Sequence, residues 1–196
     1  MKKILFTLML LIPSVILANS IDSINMDIYV DNNGTAHITE EWVTYLNEGT
    51  EGYKPYYNLG TSEISNFKVS MNNVPYTFNS NYNVNDSFDK KKYINGFNYI
   101  DNGVELCFGI SEYGSNNYIL SYDISNFVVN TSDGYQMIYW TLFPYNYNPS
   151  PKRVYIILVL IMLVLKCIVI LNIMIIYLYG DMESMELLLM LVMEVL

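Results

Sequence analysis

The chain has 196 residues, 52% of them hydrophobic and 19 of them tyrosine, and a formal net charge of −9. That length suits one domain plus targeting segments. The acidity argues against a nucleic-acid partner, whose phosphates need clustered Lys and Arg, and fits a solvated acidic surface.

Residues 1–20 read as a signal peptide. Lys2 and Lys3 precede an apolar stretch from Ile4 to Leu17, and Ala18-Asn19-Ser20 supplies small residues for cleavage. The stretch is shorter than the about 20 apolar residues that span a bilayer core. Cleavage is expected after Ser20, with cleavage after Ala18 as one alternative and an uncleaved anchor as another. Either way the chain from Ile21 onward is expected outside the cytoplasm.

Residues 21–150 read as an exported β domain. Ile24, Met26, Ile28 and Val30 alternate with polar or aromatic neighbours, the period of a half-buried strand. Asp31-Asn32-Asn33-Gly34 is a turn cluster, and Thr35–Tyr45 alternates again, so the two strands make a hairpin. Further strands are expected over Ile64–Ser70, Val74–Phe78, Val104–Ile110, Tyr118–Ile124 and Met137–Leu142. In the fifth of the seven, Val104, Leu106, Phe108 and Ile110 share one face, and Cys107 lies half-buried on the other. Residues 48–60 and 79–98 read as loops, with Lys90-Lys91-Lys92 solvated in the second. Short strands separated by turns predict an antiparallel, immunoglobulin-like β-sandwich. A signal helix and a C-terminal apolar helix should flank it.

The phrases Asp31-Asn32-Asn33-Gly34-Thr35 and Glu40-Glu41-Trp42 resemble the opening hairpin of the YciQ-like family of predicted bacterial membrane proteins. Asn117–Asn130 is similar to a later strand pair of that family, and Asp133 with Tyr139-Trp140 to the strand that follows. The resemblance spans about residues 22–150. It implies an exported domain on a membrane protein, with no activity or catalytic residue to carry over, and it breaks off near Arg153.

Beyond that point Val154–Tyr179 is apolar and long enough for a transmembrane helix, followed by a tail over 180–196. Lys166 and Asn172 interrupt the run, and a central Lys costs about 3 kcal/mol on insertion. Lys152 and Arg153 would lie outside, with Asp181, Glu183, Glu186 and Glu194 inside, against the positive-inside tendency. A second reading therefore makes the residues after about Tyr155 an out-of-frame translation. In one alternative register Met182-Glu183, Met185-Glu186 and Met193-Glu194 each hide a glycine codon.

No catalytic, metal or cofactor constellation is expected. His37 is the only histidine and reads as structural. Glu40 and Glu41 are neighbours on a strand and face opposite sides, with Glu40 on Trp42's side only if a bulge intervenes. Cys107 and Cys167 offer the exported part no disulfide framework. The candidate binding residues are Tyr53, Tyr56, Tyr57, Tyr145 and Tyr147, read as loop aromatics whose broad faces and polar tips suit protein or sugar. The expected partners are the membrane and another envelope protein, or a cell-wall glycan. The function expected is a non-catalytic interaction module, and the alternative is a carbohydrate-binding module.

Overall fold

A computed structural model describes residues 18–130, 132, 136–144, 147–164, 167–179 and 185–191. Residues 1–17 of the segment expected to be a signal peptide, Asp133, Tyr145, Lys166 and most of the tail lie outside the described residues.

The described residues fold mainly as strands. The first sheet is built on β1 (Ser20–Val30), β2 (Ala36–Leu46), β4 (Ile64–Met71) and β9 (Gly114–Ile124). Its full order is β13-β12-β1-β2-β9-β4-β5, where β5 is Val74–Pro75, β12 is Arg153–Val164 and β13 is Cys167–Tyr179. The second sheet runs β3 (Glu51–Tyr57), β8 (Gly103–Gly109), β7 (Ile94–Ile100), β6 (Thr77–Phe78). A third joins β10 (Val129–Asn130), β11 (Gln136–Phe143) and β14 (Met185–Leu191). Among the described residues the one helix, α1 (Phe88–Lys91), is short and lies within the second expected loop.

The β1–β2 hairpin forms where the alternation placed it. At its turn the Asp31 carboxylate accepts the backbone N–H groups of Asn33 (2.8 Å) and Thr35 (3.0 Å). Gly34 takes φ +78°, which a Cβ would resist. Five asparagines, Asn58, Asn66, Asn72, Asn73 and Asn126, also adopt positive φ. Asn tolerates that region better than most L-residues, which suits it to these five positions.

Inward-facing residues of the first two sheets meet in one sandwich-like core. Ile24, Ile38, Trp42, Leu106, Phe108, Leu120 and Ile124 are all buried there. Trp42 on β2 meets Phe108 on β8 edge-to-face at 6.0 Å, and Phe67 on β4 stacks on Phe97 of β7 at 5.7 Å.

Four expectations are corrected. The sheets are mixed rather than antiparallel, since β1 pairs with β12 and β6 with β7 in parallel. Residues 48–60 are not all loop. Their centre is β3, an edge strand whose Pro55 is compatible with that position because an edge tolerates a missing N–H. Ile94–Ile100 is likewise a strand. Finally, Val154–Tyr179 carries β12 and β13 where a helix was expected. The reason is the free edge of β1. Val154, Ile156 and Leu158 bury fully beside it while Ile157 faces out, and Val and Ile suit a pleated ladder. Among the described residues no helix is long and apolar enough to cross a membrane.

Candidate functional site

The centre of the sandwich holds charge. Glu40 occupies an inward position of β2 between Ile38 and Trp42, and Lys54 an inward position of β3 on the opposing sheet; both are 0% exposed. Lys54 Nζ donates to Glu40 Oε1. Tyr122 of β9 donates its hydroxyl to the same oxygen and accepts from Lys54 Nζ at 3.1 Å. Trp42 Nε1 donates to Glu40 Oε2 at 2.7 Å, and the Tyr56 and Tyr122 hydroxyls lie 2.6 Å apart. The ammonium also sits 4.6 Å from the Phe143 ring centre and 5.1 Å from that of Tyr56.

Alternation places this cluster. Residues two apart on a strand share a face, so Glu40 and Trp42 need no bulge, and β2 pairs with β9 without irregularity. Burial lowers the Lys54 pKa, and the Glu40 charge partly offsets that. Burial, with Glu40 adding to it, drives the Tyr122 and Tyr56 hydroxyls well above the usual phenol range. Removing two charges from water is expensive, and here each polar atom of the pair finds aromatic or hydroxyl partners instead. A substrate arriving from solvent has no access to the pair.

The accessible concavity lies beside it. A cleft of about 480 Å³ opens between the end of β3 and β11, floored by Phe127 and the half-buried Trp140. Tyr57 and Tyr139, 50% and 52% exposed, lie on its wall with Asn58 and Asn126. Broad aromatic faces beside amides can pack on an apolar surface and hydrogen-bond its polar edge.

The five tyrosines expected as loop aromatics separate in the structure. Tyr53, Tyr56 and Tyr57 are strand residues of β3, and alternation sends Tyr56 inward, where it is 2% exposed. Tyr147 is buried too, its ring 5.9 Å from Trp42 and its hydroxyl donating to the Tyr53 carbonyl. Tyr53 is exposed and lies beside Tyr147 at 5.8 Å. Of the described four, Tyr57 and the largely buried Tyr56 line the cleft, and Tyr53 and Tyr147 do not. Tyr145 lies outside the described residues.

His37 is a surface residue. Its Nδ1 is 2.7 Å from Asp123 Oδ1 and its Nε2 3.6 Å from Asp31 Oδ2. The Asp123 hydrogen bond raises its pKa, against a smaller opposing effect of burial. Cys107 is buried rather than half-buried, and burial pushes its thiol well above the usual range. Lys91, expected in solvent, is buried and pairs with Glu51 at 3.1 Å. Among the described residues no cluster of His, Cys, Asp and Glu could hold a metal ion.

The sequence reading missed Lys54, Tyr122 and the role of Glu40. One signal was available: a carboxylate at the inward phase of Ala36, Ile38 and Trp42 requires a buried cation or donor nearby.

No family model matches the chain. No curated protein matches it either. Solved structures give distant likenesses. A candidate nutrient-binding protein from Legionella pneumophila is 14% identical with a TM-score of 0.42, covering 71% of this chain and 50% of its own. Leukotriene A4 hydrolase from Saccharomyces cerevisiae is 9% identical with a TM-score of 0.45, covering 73% and 23%. An M1 zinc metallopeptidase from Deinococcus radiodurans is 12% identical with a TM-score of 0.35, covering 73% and 32%. The chain thus spans half or less of the length of each of these structures.

Proposed function

We propose that the chain is the exported, membrane-associated β-sandwich of a YciQ-like membrane protein, immunoglobulin-like in architecture, and acts as a non-catalytic interaction module at the cell envelope. The observation that carries this reading is the contrast between two sites. One converging ionisable pair, Glu40 and Lys54, is sealed in the core, whereas the open cleft is walled by Tyr57 and Tyr139. The first arrangement suits architecture and the second suits binding.

The reading expects a membrane-protein partner held at the cleft. Cross-linking in intact cells through a photoreactive residue at Tyr139 should capture a discrete envelope protein. Capture should vanish on Tyr57→Ala. Labelling no different from that at a distant surface residue such as Tyr99, 77% exposed, would end the proposal.

A second reading, a cell-wall glycan as ligand, is favoured by the pairing of exposed aromatic rings with Asn58 and Asn126 on one wall. Sedimentation with purified cell wall that is lost on Tyr57→Ala and Tyr139→Ala would select it over a protein partner.

A further inference from the structure

We infer that Glu40 and Lys54 condense to an intramolecular amide that covalently joins the two sheets. The geometry supplies each part of that reaction. The amine and the carboxyl carbon are held together by the fold, which converts a bimolecular condensation into a unimolecular one of high effective concentration. Both partners are fully buried, so water neither solvates the charges nor competes for the carbonyl. Trp42 Nε1 points at Glu40 Oε2, the oxygen on which negative charge grows when nitrogen adds to Cδ.

The proton path is also in place. In the ion pair, Lys54 first passes one proton along its hydrogen bond to Glu40 Oε1, giving a neutral amine and a carboxylic acid. Burial favours the neutral amine of Lys54. Nζ then forms its bond to Cδ. Tyr122 accepts a hydrogen bond from Nζ and donates one to Oε1, so it can relay the second Nζ proton to Oε1. The Cδ–Oε1 bond breaks and Oε1 leaves as water. Two charges disappear, one water is released, and no oxidant or cofactor takes part. Tyr56, 2.6 Å from the Tyr122 hydroxyl, holds the relay in place.

The product is a staple between β2 and β3, strands of different sheets. An amide also removes the standing cost of a buried ion pair.

Peptide mapping of the full chain tests this directly. No Lys or Arg lies between Lys3 and Lys54, and Pro55 blocks cleavage after Lys54, so trypsin leaves Glu40 and Lys54 in one peptide ending at Lys68. That peptide should be one water lighter than its sequence. Further cleavage after Glu48 and Glu51 should leave the Glu40 and Lys54 fragments joined. Fragments that separate, each at full mass, would overturn the inference. Tyr122→Phe keeps the ring and removes the relay, so it should raise the unjoined fraction at least tenfold in freshly made protein. Unchanged joining in that variant would remove Tyr122 from the mechanism, and Lys54→Met should show no joined fragments.

Discussion

Trp140 lies flat on Phe127, with ring centroids 5.3 Å apart and planes 5° from parallel, and its Nε1 donates to the Phe127 carbonyl at 3.0 Å. The contact ties β11 to the segment after β9 and forms the floor of the cleft. Trp140→Ala should destabilise the domain by about 3 kcal/mol, through lost packing and an orphaned carbonyl. Trp140→Phe should cost about 1 kcal/mol, because stacking survives without the hydrogen bond. The chain has two tryptophans, so the fluorescence of buried Trp42 reports urea unfolding in both variants.

His37 makes stability depend on pH. Its folded pKa is raised, chiefly by Asp123, with Asp31 on its other side and the Tyr29 ring 5.9 Å away. A raised pKa means that the folded state holds the proton more tightly than the unfolded one. The stabilisation is therefore complete below the unfolded value near 6.5 and is lost as pH rises through the folded value. Thermal melts from about pH 5 to pH 9 should show a fall in Tm across that window, absent in His37→Gln. A Tm that rises there in the parent chain alone would contradict the assignment.

Gly109 is required by a close approach of backbone to backbone. A Cβ there would stand 1.9 Å from the Lys91 carbonyl oxygen and 2.5 Å from its carbon. Neither atom belongs to a side chain that can turn away. Gly109→Ala should cost about 3 kcal/mol and detach α1 from β8, seen as a lower denaturation midpoint and early protease cutting after the lysines of α1. Gly60→Ala is the contrasting control. No atom lies within 4 Å of its Cβ position, so only its φ of +60° opposes the change, and about 1 kcal/mol is expected.

Asn19 secures the other end of the β1–β2 pair. Its Oδ1 accepts the backbone N–H of Asn47 at 2.8 Å and of Glu48 at 3.3 Å, and its Nδ2 donates to the Glu48 carbonyl at 3.1 Å. Asn19→Ala should cost about 1 kcal/mol. A leader removed after Ala18 preserves this clamp and one removed after Ser20 discards it. On the proposed export, the clamp favours cleavage after Ala18 over the cleavage after Ser20 expected from the sequence, so N-terminal sequencing of the processed protein should read Asn19 first.

The strands legible in the sequence were those that obeyed a period of two with one wet face. β1, β2, β4, β8, β9 and β11 fall where alternation placed them, within a few residues at their ends. β3 escaped because Gly52 and Pro55 mimic loop composition and its inward positions include a lysine. β7 escaped because Asn95 and Gly96 interrupt the pattern, although Asn95 is buried and donates to the Phe67 carbonyl. The apolar run defeated periodicity: with nearly every residue apolar, a helix and a strand look alike, and the vacant edge of β1 decides between them. The site was obscured for a related reason. Charged residues are read as solvent-facing, so the meeting of Glu40 with Lys54 emerges only once two sheets are stacked.

The parallel pairing of β1 with β12 has a consequence for how the molecule is made. Asp22 and Lys152, which clasp the start of that pairing at 2.6 Å, are 130 positions apart in the chain. The opening strand can zip to β2 at once, yet its second edge waits until nearly the whole domain has emerged. Such a high contact order slows folding and leaves a naked ladder in the nascent chain. On the export proposed above, a polypeptide threaded across a membrane in extended form would gain from that delay, because premature closure would jam its passage.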